Sequence, residues 1–374
     1  MNRNFFQVLV KPSGADCNLR CQYCFYSEKA DLYPNQQRRM TPQVLELLVK
    51  QVMDIDANAK SFCWQGGEPA LMGLDFYRNA IQLQHRCKTG NQQVNNVLQT
   101  NGTLLDKDWA DFLKANNVLV GISIDGPAKI HDEYRKRADG KGSHQQVIKG
   151  LKCLQRRKVE CNALTLVNNV NCKQPEHIYD YIKGLGFKFH QYIECIEYED
   201  DKITPKPFSL KPGQWGEFLC RIFDAWYPKD VTKVSIRLFD SIISRLATGS
   251  ATFCPMQHNC QQYLVVEHNG DVYPCDFHVL PQYRLGNITE THLNDMLENP
   301  IYVDFGKKKS AVLADCALCR YEPLCQGDCP KHREFGPRPG RSILCEDWKI
   351  FYNHTIERFD ALATRFRELS RGSM

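Results

Sequence analysis

Phe6-Gln7-Val8-Leu9-Val10-Lys11, then, five residues on, Cys17-Asn18-Leu19-Arg20-Cys21-Gln22-Tyr23-Cys24-Phe25-Tyr26, is the stretch from which the rest of the chain is read. The apolar run Phe5–Val10 reads as a strand, and the three cysteines follow it in a loop. Three thiolates hold three irons of a [4Fe-4S] cube and leave the fourth iron without a protein ligand. A cluster with four cysteine ligands is closed and mainly moves electrons. An iron with an open position can instead bind a small molecule directly. A zinc site or a disulfide cluster is the plain alternative at this spacing.

The chain has 374 residues, 43% hydrophobic and 24% charged, enough for a large core and more than one domain. A net charge of +5 is too mild to argue for nucleic acid. The basic runs Arg38-Arg39 and Lys307 to Lys309 read as solvated faces. Eighteen cysteines are many for an ordinary enzyme. The secreted disulfide reading needs a signal peptide, and the opening apolar stretch, which carries Gln7 and runs into Lys11-Pro12, has no cleavage pattern. No apolar run has the length that spans a membrane. A reducing cytoplasm is therefore expected, where clustered cysteines bind metal more often than they pair.

Up to about residue 200 short apolar strands alternate with amphipathic helices. Strands are expected at Phe5–Val10, Ser61–Gln65, Asn95–Thr100, Leu119–Ile124, Cys161–Val167 and Lys188–Ile193. Helices are expected near 42–54, 74–86, 106–116, 145–157 and 176–184. This βα alternation implies a parallel sheet covered by helices. Six units are too few for a closed eight-stranded barrel and suit an open one, an α/β partial (β/α)6 barrel. Chemistry in such barrels gathers at the C-terminal ends of the strands. There lie the cysteine loop, Gln65-Gly66-Gly67-Glu68-Pro69, Thr100-Asn101-Gly102 and Ser123-Ile124-Asp125-Gly126.

Pro205, Pro207 and Pro212 mark a linker, and helices are expected near 213–226 and 236–247. From Cys254 cysteines return in number and turns replace long helices. Tyr263–Glu267 and Val272–Cys275 read as a hairpin turned at Asn269-Gly270. A final helix is expected over Asp347–Leu369. The domain expectation is 1–205, 206–250 as a helical linker region, 251–350, and 351–374 as a C-terminal helix.

Cys17-x3-Cys21-x2-Cys24 with Tyr23 inside it, followed one βα unit later by Gly66-Gly67-Glu68-Pro69, resembles the radical S-adenosylmethionine (SAM) enzymes. Paired glycines let backbone approach a ligand closely. The resemblance implies that SAM chelates the open iron and is cleaved reductively to a 5′-deoxyadenosyl radical, with the protein orienting the cofactor and excluding water. Matched position by position, it implies SAM contacts from Tyr23, Gly67, Ser123, Arg135 and Ile196. Ser123 and Arg135 can reach a carboxylate by hydrogen bond and charge.

Eight further cysteines cluster late in the chain. Cys316-x2-Cys319-x5-Cys325-x3-Cys329 resembles the SPASM domain, a module that carries two auxiliary clusters. That resemblance implies one [4Fe-4S] cluster on Cys254, Cys260, Cys275 and Cys329, and another on Cys316, Cys319, Cys325 and Cys345, three clusters in all. Two structural zinc sites are the alternative that tetrathiolate spacing permits. The seven other cysteines, Cys63, Cys87, Cys153, Cys161, Cys172, Cys195 and Cys220, read as small buried hydrophobes.

Cys24-Phe25-Tyr26, Gln65 to Leu74, Leu98 to Leu104, Val120 to Pro127 and Val272 to Phe277 look like the anaerobic sulfatase-maturating enzymes, over nearly the whole chain. These oxidise a cysteine or serine of a sulfatase to Cα-formylglycine. The resemblance implies Asp276 as the base, next to the ligand Cys275, and Tyr26 and Gln65 beside the target side chain. A base within hydrogen-bond reach of the substrate heteroatom meets the demand of the chemistry. The implied partners are a sulfatase polypeptide with a Cys/Ser-x-Pro-x-Arg type motif and a flavodoxin- or ferredoxin-type reductant, with no nucleic acid and no membrane. One alternative keeps the chemistry and crosslinks a ribosomal peptide through thioether or carbon–carbon bonds. Another is a non-catalytic iron–sulfur or zinc scaffold.

Overall fold

The computed structural model describes residues 3–34 and 38–372. The chain divides into two compact units. One comprises residues 1–123, 131–161 and 261–306; the other comprises 124–130, 162–260 and 307–374. Chain order and compactness therefore do not coincide: residues 261–306 pack with the N-terminal strands.

In the first unit β1 (Arg3–Lys11), β2 (Ala57–Trp64), β3 (Gln93–Thr100) and β4 (Leu119–Ser123) pair in parallel, in that order. Phe6, Val8, Leu9 and Val10 of β1 are all buried, so both faces of the strand are covered, as a parallel sheet requires. The helices between them start where their sequences say. Thr41 accepts from the Val44 N–H ahead of α1 (Pro42–Asp54). Asp106 accepts from the Trp109 N–H to start a later one, Lys107–Ala115. Each satisfies an otherwise orphaned donor. α1 buries Val44, Leu45, Leu48, Val49 and Val52, the apolar stripe read in the sequence.

The expected hairpin is present later in this unit. Strands Leu264–Glu267 and Asp271–Tyr273 pair antiparallel around Asn269-Gly270, with Gly270 at φ +91°. Leu264–Glu267 also pairs in parallel with β1, Lys11 opposite Glu267. That pairing carries the segment before Cys275 and Asp276 to the strand that precedes the cysteine loop. Ala128–Tyr134 forms a short helix that the sequence reading does not contain, because seven residues are too few to show a period.

In the second unit Cys161–Val167, Phe189–Glu194 and the two-residue strand Ser235–Ile236 pair in parallel. Helices Gln214–Trp226 and Arg237–Thr248 pack with the last helix, Cys345–Gly372. Phe223, Phe239, Phe351 and Phe359 cluster there, mostly edge to face, with centroids 4.8–6.0 Å apart. Asp347 accepts from the Gly213 and Gly216 N–H groups, at 3.1 and 2.9 Å, and so joins the last helix to the start of Gln214–Trp226. A Cβ on Gly216 would lie 2.6 Å from the Asp347 carbonyl oxygen, so only glycine allows this approach.

Candidate active site

The cysteine loop is built by short turns. Gly14 and Asp16 donate to the carbonyls of Lys11 and Ser13, both at 3.0 Å, and Gly14 is left-handed at φ +51°. The Cys24 N–H donates to the Cys21 carbonyl at 3.1 Å, which folds the last two cysteines together. The following turn is fastened to this loop by backbone. Gly67 donates to the Gly14 carbonyl and Glu68 to the Asp16 carbonyl, each at 2.8 Å. A Cβ on Gly67 would fall 2.0 Å from the Asp16 carbonyl oxygen. The paired glycines thus serve the approach of one loop to another.

Glu68 is fully buried. Its Oε1 accepts from the Ala70 N–H at 2.9 Å and the Thr100 hydroxyl at 2.7 Å, and its Oε2 accepts from the Asn101 N–H at 2.8 Å. The carboxylate therefore ties the end of β2 to the end of β3. Burial raises its pKa, and the three donors pull the other way. Asn101 reaches onward: its amide donates to Asn18 Oδ1 at 2.9 Å and lies 3.7 Å from the Cys17 sulfur. The Leu19 N–H points at the same sulfur from 3.4 Å. Burial pushes the Cys17 thiol up to about 11 while these donors favour the thiolate. A thiol of this kind becomes a ligand by exchanging its proton for iron.

Tyr23 is buried and meets Tyr134 edge-on, with the Arg135 guanidinium 5.4 Å from its ring. Arg20 and Gln22 donate to the Lys136 and Tyr134 carbonyls, so the loop carries Tyr23 to that segment. Ser123 closes β4 and is half-buried. Ile196 is buried in the second unit. Gln65 is half-buried and donates its N–H to the Val10 carbonyl.

Asp276 opens a short turn after Cys275. Lys11 Nζ lies 3.6 Å from its Oδ2, and the Tyr263 hydroxyl 3.4 Å from its Oδ1. Tyr263 is also 3.4 Å from the Cys275 sulfur. The Tyr26 hydroxyl donates to buried Glu267, and burial beside that carboxylate holds Tyr26 neutral. Lys11 and Glu267 were missed in the sequence; their signal, a charged residue closing an apolar strand, also marks an ordinary exposed strand end.

In the second unit Cys316, Cys319, Cys325 and Cys345 line one cavity of about 240 Å³, together with Tyr321, Trp348 and Arg341. Four soft thiol donors lining one pocket suit an iron–sulfur cluster. Between Cys325 and Cys329 the backbone is left-handed at Gln326, Gly327 and Asp328 in succession. Two cations hold that turn by its carbonyls. Lys309 donates to Pro255, Gln326 and Asp328, and Arg333 to Gly327, Lys309 and Ala311. The Asp328 carboxylate meets the His332 ring at 2.9 Å and accepts from the Ser342 hydroxyl at 2.5 Å; against the cost of burial, the His332 charge and then these bonds hold its pKa well below the usual range. Cys254, Cys260 and Cys329 belong to this unit, and Cys275 to the first.

Lys307 and Lys308 are exposed as expected, whereas Lys309 is buried and Arg38 and Arg39 are half-buried. Lys309 is 1% exposed because carbonyls of a strained turn need a buried donor. Arg38 and Arg39 both bind Asp16, at 3.0 and 2.6 Å, and hold its carboxyl below the usual range against the cost of burial. Of the seven other cysteines, Cys63, Cys172 and Cys195 are buried as expected; Cys87, Cys153, Cys161 and Cys220 are only partly so.

The radical SAM superfamily model matches residues 12–182, and the model of the iron–sulfur cluster-binding domain called SPASM matches residues 254–320. Fold and site thus define a radical SAM enzyme with an auxiliary iron–sulfur region. A serine-type anaerobic sulfatase-maturating enzyme of Bacteroides thetaiotaomicron is 37% identical over 94% of this chain and 90% of its own length. A cysteine-type one of Clostridium novyi is 37% identical over 95% and 96%. The solved structure of native anSMEcpe with bound AdoMet (SAM) and Cp18Cys peptide superposes with a TM-score of 0.90, at 35% identity, over 97% of this chain and 99% of that one. The chain belongs to the anaerobic sulfatase-maturating enzymes. Its fold is the partial barrel followed by a SPASM domain expected from the sequence, and SAM and iron–sulfur clusters are its cofactors. The family's reaction, formylglycine generation, is favoured over peptide crosslinking and over a scaffold role.

Proposed function

We infer that this chain binds a Cys/Ser-x-Pro-x-Arg type segment of a sulfatase polypeptide and removes a proton from its target side chain with Asp276. The observation that carries the assignment is the placement of Asp276. It directly follows the ligand Cys275, and Lys11 and Tyr263 each hold one of its oxygens. SAM and the clusters, when bound, supply hydrogen abstraction at the target Cβ and a destination for the second electron. The protein's part is to orient the side chain and accept its thiol or hydroxyl proton at Asp276. A cysteine then leaves as a thioaldehyde that water hydrolyses to the aldehyde; a serine yields the aldehyde directly.

Cys17, Cys21 and Cys24 would hold the SAM-binding cluster. Tyr23, Gly67, Ser123, Arg135 and Ile196 would line the SAM site, and Tyr26 and Gln65 would flank the target. Cys254, Cys260, Cys275 and Cys329 would hold one auxiliary cluster, and Cys316, Cys319, Cys325 and Cys345 the other. The cavity shared by the last four supports their grouping. No helix among the described residues is long and apolar enough to cross a membrane. A cytoplasmic setting with a flavodoxin- or ferredoxin-type reductant fits the exposed chemistry of thiolate clusters. The test is anaerobic incubation with SAM, reductant and matched peptides bearing cysteine or serine, read by mass spectrometry. Formylglycine in either peptide is expected. SAM cleavage with no oxidised peptide refutes the substrate. Full activity in Asp276→Asn refutes the base.

A further inference from the structure

Lys11 ends β1 with its side chain 1% exposed. A buried ammonium is costly unless paired. Its partners are specific. Nζ lies 3.6 Å from Asp276 Oδ2 and 4.3 Å from the centre of the Tyr26 ring. Tyr26 in turn donates to Glu267, which is 1% exposed and stands opposite Lys11 in the pairing of β1 with the hairpin strand. The aliphatic stem is held as well. Gly66 sits at φ +125°, and a Cβ there would come within 3.3 Å of Lys11 Cδ and 2.9 Å of the Gly14 carbonyl oxygen. The stem therefore runs directly against the turn that leads into Gly67.

Asp276 follows a two-residue connection from a short strand, and its side chain is 16% exposed. A carboxylate in a turn rotates freely unless both oxygens are held. The Tyr263 hydroxyl takes Oδ1 from 3.4 Å, and Lys11 takes Oδ2. We propose that Lys11 is a positioning residue for proton removal: its ammonium sets the plane of the Asp276 carboxylate, and its stem, pressed on Gly66, ties that plane to the Gly66-Gly67 turn. The inference rests on Asp276 as the base. A base acts only within hydrogen-bond reach of its proton, so misplacing it slows that step while hydrogen abstraction goes on.

The test uses cluster-loaded enzyme with a peptide deuterated at the target Cβ. Lys11→Met keeps length and removes charge; Lys11→Arg restores charge. In Lys11→Met we expect iron content, deuterium transfer into 5′-deoxyadenosine and peptide KM to stay within about threefold of wild type. Formylglycine formed per 5′-deoxyadenosine should fall by at least about tenfold, part of the 10²–10⁴ that a positioned base contributes. Lys11→Arg should recover much of that ratio. If Lys11→Met loses iron, Lys11→Gln is read in the same way. A wild-type product ratio in the cluster-loaded neutral variant overturns the proposal. Asp276→Asn run in parallel separates the two claims. If it loses product while the neutral Lys11 variant does not, only the positioning role fails; if it keeps product, the base assignment fails. The double variant should be no worse than Asp276→Asn, and additive losses would overturn coupling through one carboxylate.

Discussion

Replacing Glu68 tests whether a buried carboxylate, rather than the glycines alone, holds the Gly66–Pro69 turn in place. Its two oxygens receive the Ala70 and Asn101 N–H groups and the Thr100 hydroxyl, at 2.7–2.9 Å, at a fully buried position. Alanine leaves all three donors in a dry site. An orphaned buried donor costs roughly 1–3 kcal/mol. The Thr100 hydroxyl can turn, so the two backbone groups dominate, and the carboxylate's own burial cost, visible in its raised pKa, is returned. A net loss of about 4 kcal/mol is expected for Glu68→Ala. Glutamine keeps an oxygen toward Ala70 and Thr100 but sets an amide NH2 against the Asn101 N–H. About half the loss, ~2 kcal/mol, is expected for Glu68→Gln. The measurement is urea unfolding under anaerobic conditions, with hydrogen exchange at Ala70 and Asn101 as the local readout. SAM affinity should fall in the same order. Glu68→Ala within about 1 kcal/mol of wild type, or Glu68→Gln as damaging as Glu68→Ala, would refute the reasoning, since the first denies the bonds and the second denies their geometry.

Gly67→Ala should lower both SAM binding and iron per chain, because the nearest atom to the new Cβ is backbone at 2.0 Å and the cysteine loop must move; undiminished iron and SAM affinity would show that the loop yields freely. Cys325→Ser should cut iron from about twelve to about eight per chain by elemental analysis; about four irons and two zincs in the parent protein would instead identify zinc sites. His190 is buried against the Tyr192 hydroxyl and the Phe187 carbonyl, and burial lowers its pKa to about 4. A depressed histidine is neutral in both states above the unfolded value near 6.5, and stability is lost as pH falls from there toward 4. By pH 5 its share is about 2 kcal/mol. Urea unfolding of wild type and His190→Gln at pH 7.5 and 5 checks this: a wild-type loss no larger than the variant's removes the assignment.

The parts of this protein that depend on near neighbours in the chain were legible from residues alone. Cys17, Cys21 and Cys24 form one turn-built loop, so their spacing is their geometry. The parallel strands show as short apolar runs and the amphipathic helices as stripes of period 3.6, and the observed ends differ from the expected ones by a few residues, as at Ala57–Trp64 against Ser61–Gln65. Asn269-Gly270 announces its own turn. Family resemblance, carried by short motifs, supplied the role proposed for Asp276, which the residue beside it could not. Tertiary structure decided what those motifs touch. Glu68 is, by sequence, one carboxylate in a glycine-rich turn; only the packed sheet brings Thr100 and Asn101, over thirty residues away, onto its oxygens. Lys309 ends a basic run that reads as solvated, yet it is buried under three carbonyls from two other segments. Lys11 and Asp276 meet because a hairpin strand from late in the chain pairs with β1. Spacing and periodicity specify local backbone, whereas the pairing of a buried charge is a property of chain segments brought together only by the packed sheet.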